Sequence, residues 1–206
     1  MSLLLWARSL ARADLIVLGS RGLTGFTRLV LGSTAESVLR HSATPVLIVP
    51  PQAPHRPPAG ALFTSIVCAV DFEADSYAGL RYAFEFARQS DASLTLLHVL
   101  QMPARSAHDL DAVVAPDHEH QAAARNARSR LEALIPESAR AYASVHAEVT
   151  EGYPADEILR VARARHADLI IMGVRARDAI DVALFGSYTR MVVHAAPCPV
   201  MTVRQE

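Results

Sequence analysis

The chain has 206 residues, of which 51% are apolar, and a formal charge of −1 from 20 basic and 21 acidic side chains. That length holds one or two domains, and that composition supplies a substantial core and excludes general disorder. The near-neutral, interspersed charge argues against nucleic acid as a partner, which needs a clustered basic face, and no apolar run is long enough to span a membrane.

Met1 to Trp6 has a faint likeness to a signal peptide. Arg8 and Arg12 interrupt it and no basic residue precedes it, so Ser2 to Ala11 reads as the tail of a helix. Leu15 to Leu18 is an unbroken apolar run, short enough for a buried strand. It leads into Gly19-Ser-Arg-Gly22, nine further residues, then Gly32-Ser33. Ser33-Thr-Ala-Glu36 has the form of a capping box, which predicts a helix from Ser33 to Arg40. Val46 to Val49 reads as a strand. Pro50 to Gly60 holds five prolines and no apolar periodicity, and reads as an extended, semi-rigid linker.

A longer unit begins at Leu62. Ser65 to Val70 is a strand ending at Asp71, and Ala74 to Gln89 is a helix with Leu80, Phe84 and Ala87 at helical spacing. Leu94 to Val99 is a second strand, and Pro103 to Pro116 is irregular. Asp117 is placed to cap a helix running through Leu134. Val145 to Val149 alternates as a third strand, and Gly152 to Ile158 opens a helix that runs to Arg165. The strand Leu169 to Met172, a loop, a helix after Ser187 and the strand Val200 to Val203 complete the chain. Cys68 and Cys198 fall in or next to strands, far apart, and read as buried reduced thiols.

The last part of this unit repeats the beginning of the chain without a gap. Ala13-Asp14-Leu15-Ile16 returns as Ala167-Asp168-Leu169-Ile170, and Gly19, Arg21, Gly32 and Ser33 return as Gly173, Arg175, Gly186 and Ser187. Pro45, Val46 and Val49 return as Pro199, Val200 and Val203. A repeat of this length means two related units rather than a solenoid. The copies differ at Gly22, which becomes Ala176, and at Glu36, which becomes Arg190. In each copy the order is strand, glycine-punctuated loop, helix start. Glycines let a backbone approach a ligand closely, and a helix start offers unpaired N–H groups and a positive dipole end. The loop therefore reads as a cradle for phosphate.

These residues resemble the universal stress protein family, whose ATP-binding members carry G-x2-G-x9-G-S/T after the fourth strand. The first copy matches in full at Gly19, Gly22, Gly32 and Ser33. The second matches at Gly173, Gly186 and Ser187 and departs at Ala176. The resemblance implies an α/β, Rossmann-like domain over residues 62–204, with a parallel five-stranded sheet in the order 3-2-1-4-5 and helices on both faces. It implies the C-terminal part of a second such domain over residues 1–50, joined by a linker over 51–61. In such a sheet the ligand crevice lies at the carboxyl ends of the strands where the winding reverses, here between Asp71 and Gly173. By the same resemblance Asp71 accepts hydrogen bonds from a nucleoside, Val99 and Met172 lie near the base, and Gly186, Ser187 and Thr189 face the phosphates of ATP, with Mg2+ carried by those phosphates. Asp71 read alone serves equally as a cap for the helix after it.

Three features weaken the second copy as an anion site. Ala176 disfavours a positive φ, and Asp178 and Asp181 place negative charge in the loop. Arg190 opposes the helix dipole yet attracts phosphate. The histidines and acids from His108 to His120 lack the spacing of paired helical metal ligands and read as a solvated loop and helix start. His98 reads as a strand histidine. There is no Walker lysine motif and no nucleophile–base pair at a recognisable spacing. The resulting expectation is a cytoplasmic stress-response protein that binds adenine nucleotide, is not an enzyme, and pairs as a dimer. The alternatives are a nucleotide-free interaction scaffold of the same family and a slow ATP hydrolase.

Overall fold

The computed structural model describes residues 13–20, 31–51, 53, 62–101, 118–141, 143–174 and 187–205. The elements in chain order are β1 (Ile16–Gly19), α1 (Ser33–His41), β2 (Val46–Val49), β3 (Ser65–Ala69), α2 (Ala74–Ser90), β4 (Ser93–Gln101), α3 (His118–Ala133), α4 (Glu137–Arg140), β5 (Val145–Gly152), α5 (Pro154–Ala164), β6 (Leu169–Gly173), α6 (Ser187–Ala195) and β7 (Val200–Val203). They build one seven-stranded sheet in the order β1-β2-β7-β6-β3-β4-β5.

Four of the strands, β3, β4, β6 and β7, bury consecutive residues and hence side chains on both faces, as a parallel sheet covered by helices requires. The central strand β6 is the extreme case, with Leu169, Ile170 and Ile171 all at zero exposure. Leu169 and Ile171 point into one core with Ile66, Cys68, Leu80 and Leu131. Ile170 and Met172 point into the other, with Val67, Ile158, Val192 and Val200. Strands β3 to β7 pair in parallel, and their order is the one the resemblance implies. The pairing of β2 with β7 is antiparallel, with Val46 opposite Thr202 and Ile48 opposite Val200. The sheet as a whole is therefore mixed.

That antiparallel seam reverses direction. Strands β1 and β2 run parallel to each other and opposite to β6 and β7. Gly19, at the carboxyl end of β1, and Gly173, at the carboxyl end of β6, thus lie at opposite ends of the sheet.

Asp168, just before β6, has a structural role. Its Oδ2 accepts from the Thr64 amide and hydroxyl, both at 2.7 Å, and its Oδ1 from the Ser65 amide at 3.1 Å. It pins the start of β6 to the start of β3. Helices α2 and α5 stop on left-handed residues, Asp91 at φ 52° and His166 at φ 49°. In each case the next amide closes the last turn, Ala92 onto Ala87 O and Ala167 onto Ala162 O, as in a Schellman ending. Pro154 opens α5, where its missing N–H costs nothing.

The structure corrects several expectations. There is no capping box at Ser33: Gly32 is the N-cap, and no side chain caps the helix. The helix still starts at Ser33, as read, and Glu36 pairs forward with Arg40 at 2.6 Å instead of back. The chain after β2 is not simply extended, because the Ala53 amide bonds to Pro50 O and makes a turn. Strands β4 and β5 run on to Gln101 and Gly152, and α4 is an additional short helix. The helix at Ser2 to Ala11 and the cap at Asp117 lie outside the described residues. Among the described residues, no helix is long and apolar enough to cross a membrane.

Candidate functional site

Five parallel strands leave their carboxyl ends on one rim, and there the chain passes into helices. β3 leads to α2, β5 to α5, and β6 leads on through residues outside the described ones to α6. Between the ends of β3, β4 and β6 and the starts of α5 and α6 lies a cavity of about 650 Å³. That is ample for a ligand of nucleotide size. Its inner wall is apolar: Ala69, Leu97, Val99, Ile158 and Met172. Its rim is polar, with Asp71, Glu73, Ser76, Gln101 and Thr189.

The cavity brings together Asp71, Val99, Met172, Gly173 and Thr189 from three separate elements and the loop after β3. Asp71 combines two roles. It lines the cavity, and its Oδ1 accepts from the Glu73 amide at 3.0 Å, an Asx turn that introduces α2. Thr189 is buried at 6% exposure. Ser187 begins α6, whereas Gly186 and Ala176 lie outside the described residues. Gly19, Gly32 and Ser33 do not line this cavity. They belong to the opposite end of the sheet, where the Gly32 amide bonds to Ser20 O at 3.1 Å. Gly22 is outside the described residues.

Gly173 has a tighter constraint than ligand approach. A side chain on it would run into the carbonyl of Asp75 and lie 2.5 Å from the Ser76 nitrogen. The absent Cβ lets the first turn of α2 sit directly on the end of β6. The glycine thus shapes the rim by packing, whatever it also offers a ligand.

Sequence reasoning missed several lining residues. His98 is tied into the strand, as expected, with Nδ1 2.7 Å from Val70 O. Yet it also borders the cavity, and its ring packs on Phe72 with centroids 4.5 Å apart. Arg130 lies over the other partner of that pair, 3.9 Å from the Phe72 centroid. Phe72 itself stands at φ 61°, a conformation costly for a bulky residue. The other miss is Tyr188. It lines the cavity and meets Tyr153 edge to face at 5.0 Å, while the Tyr153 hydroxyl donates to Met191 Sδ at 3.5 Å. The signal available was its place directly after Ser187. The first copy, which has Thr34 there, hid it.

No group of three metal-ligating side chains occurs among the described residues. His118, Glu119 and His120 are exposed in the first turn of α3, and the rest of that acid and histidine stretch lies outside the described residues. Burial pushes the thiols of Cys68 and Cys198 up to about 12, so neither is a ready nucleophile.

The sequence profile of the universal stress protein family matches residues 6–50 and 62–204. The chain belongs to the universal stress protein family. A universal stress protein of Methanocaldococcus jannaschii is 27% identical over 150 residues, covering 70% of this chain and 84% of that protein. One of Mycolicibacterium smegmatis is 29% identical over 198 residues, covering 93% of this chain and 62% of its own length. Among solved structures, a universal stress protein from Archaeoglobus fulgidus superposes with a TM-score of 0.68 at 25% identity, covering 97% of this chain and 65% of that one. The universal stress protein UspA from Lactobacillus plantarum gives a TM-score of 0.56 at 26% identity, covering 68% of this chain and 97% of its own. This universal stress protein chain thus spans about three fifths of the mycobacterial relative, which is 62% covered.

Proposed function

We propose that this chain is a cytoplasmic stress-response protein that binds an adenine nucleotide in the crevice between β3 and β6. One observation carries the reading. Asp71, Val99, Met172, Gly173 and Thr189, which the family resemblance named from sequence, border a single cavity of about 650 Å³. The chemistry of that lining suits the ligand. Apolar walls from Val99, Met172 and Ile158 accept a flat base. The Asp71 carboxylate accepts from nucleoside hydroxyls. The start of α6 supplies amides and a positive dipole end for phosphate, and Mg2+ would enter with the phosphates of ATP.

In this reading residues 62–204 are one complete unit, residues 1–50 are the C-terminal part of a second, and 51–61 link them. The first copy of the motif takes no part in this site, since Gly19, Gly32 and Ser33 do not line the cavity. The role is binding rather than turnover. Calorimetric titration of the purified chain with adenosine, AMP and ATP, with and without Mg2+, tests the proposal. Saturable heat from an adenine ligand, lost in Asp71→Ala, is the expected result. No heat from any of them would instead leave an interaction scaffold free of nucleotide.

A second reading, self-association, is favoured by a specific feature of β1. Among the described residues it pairs only with β2. The amides of Ile16 and Ser20 are used on that side, so those of Val17 and Gly19 face away. Val17 is 57% exposed, and the strand carries no charge or proline. The opposite edge, β5, is guarded by His146, Glu148 and Glu151, and Arg165 reaches Glu148 at 2.7 Å. An unguarded apolar edge recruits another strand, and two-fold pairing of β1 with its copy gives a symmetric dimer.

A further inference from the structure

We propose that Phe72 is a positioning residue of the crevice: held by His98 and Arg130 in a left-handed backbone conformation, it keeps the Asp71 carboxylate where the sugar hydroxyls of a nucleoside reach it. This rests on the adenine-binding reading above and names a residue on which that site depends without touching the ligand.

The backbone singles Phe72 out. Among the described residues the non-glycine positions with positive φ are Phe72 at 61°, Asp91 at 52° and His166 at 49°. Aspartate and histidine are types that enter this region more readily than most. Asp91 and His166 also each end a helix, where the left-handed residue lets the next amide close the last turn. Phe72 is a bulky aromatic and ends no helix; it stands between β3 and α2. Glycine or asparagine would fill such a turn with less strain. The ring therefore contributes something that offsets the strain.

Its neighbours show what that is. The ring meets His98 with centroids 4.5 Å apart and takes the Arg130 guanidinium at 3.9 Å. A tilted aromatic pair and a cation over a ring are both attractive, so the turn is tied to β4 and α3 at once. His98 is itself fixed to the end of β3. Its Nδ1 lies 2.7 Å from Val70 O, and a carbonyl only accepts, so Nδ1 carries the proton and donates. The Val70 amide donates in turn to Leu97 O at 2.8 Å. On the other side the Glu73 amide donates to Asp71 Oδ1 at 3.0 Å, and Ser76 Oγ donates to Glu73 O at 2.8 Å. Asp71 thus sits between two fixed points, Val70 and Glu73, with the Phe72 ring as the third.

This arrangement sorts the side chains. Asp71, Glu73 and His98 border the cavity, and Phe72 does not. The left-handed turn takes its ring instead into partly buried contact with the core around Cys68 and Leu80. Without the ring the turn becomes one conformation among several. Ordering the Asp71 carboxylate then falls to the ligand and weakens its binding.

The test is calorimetric titration of the whole chain and its variants with adenosine and with 2′,3′-dideoxyadenosine, which lacks the hydroxyls that Asp71 would accept from. The unaltered chain is expected to bind adenosine about tenfold or more tighter, as hydrogen bonds to a charged acceptor warrant. Phe72→Gly adopts the same φ without strain. It should bring the ratio below about threefold while leaving the dideoxy ligand within about twofold of its original constant. Phe72→Asn, less mobile than glycine and at ease at positive φ, should do the same. Phe72→Tyr, which keeps the ring, should retain the ratio, and Arg130→Met should lower it partway. An unchanged ratio in Phe72→Gly and Phe72→Asn, or an equal loss of affinity for both ligands, overturns this inference and leaves the adenine-binding reading intact. A ratio near one in the unaltered chain overturns it too, because Asp71 then reads no hydroxyl. Failure of both ligands to bind the unaltered chain overturns both readings.

Discussion

Gly173 and Asp75 share a space that only a residue without a side chain leaves open: a Cβ on Gly173 would collide with the Asp75 carbonyl at the first turn of α2. On the next turn of the same helix, a Cβ at Gly79 would lie 3.4 Å from the Gly173 nitrogen. The helix therefore rests on the end of β6 through two glycines. Gly173→Ala is expected to destabilise the fold by about 1–3 kcal/mol, the usual cost of overpacking against backbone that cannot yield. Urea titration followed by circular dichroism measures it. An unchanged midpoint would mean that the first turn of α2 moves aside freely.

The thiols give a pH prediction. Burial holds Cys68 and Cys198 protonated up to about 12, from an ordinary value of 9.0. In the unfolded chain they ionise near that ordinary value. Above it the unfolded state binds fewer protons than the folded one, so stability falls as pH rises from 9 towards 12. The contribution is fully present below pH 9. Melting at a series of pH values should show this loss, and it should shrink in Cys68→Ala. Both thiols should resist an aromatic disulfide reagent at pH 8 until the chain is unfolded.

Arg204 joins the two repeats. Its Nη2 donates to Leu39 O at 2.9 Å and Arg40 O at 2.7 Å, the last carbonyls of α1. Burial pulls the guanidinium below its ordinary value, and the charge of Asp75 partly offsets this. Arg204→Met should cost about 1.5–3 kcal/mol, the range for hydrogen bonds made by a charged donor. Hydrogen exchange should rise first in α1 and β2. Equal loosening across β3, β4 and β5 would contradict this local role.

The open strand gives an association prediction. Light scattering coupled to size exclusion should report a dimer, and Val17→Lys should shift it towards monomer by placing a charge on the apolar edge. A stable monomer at high concentration, with β1 resistant to proteolysis, would contradict strand pairing.

Much of this fold was legible because apolar runs with clear boundaries carry it. Val46 to Val49 and Val200 to Val203 each follow a proline and stand as read. What was not legible depends on neighbours. β5 continues through Thr150 and Glu151 because β4 pairs with them, although their polarity reads as the end of a strand. α4 is too short for any periodicity, and only Pro136 before it marks its start. The capping box failed because Gly32 took the position that Ser33 seemed to fill. At the site, the family motif pointed to residues on the cavity's rim but not to Glu73, His98 or Tyr188, which reach it only through the packing of α2, β4 and α6.

The central claim is the place of binding, and amide chemical-shift mapping by NMR tests it most directly. On titration with AMP, the account predicts shifts at Asp71, Val99, Gly173 and Thr189, and none at Gly19, Gly32 or Ser33 at the opposite end of the sheet. Shifts confined to Gly19, Gly32 and Ser33, with the four crevice amides unmoved, would contradict it.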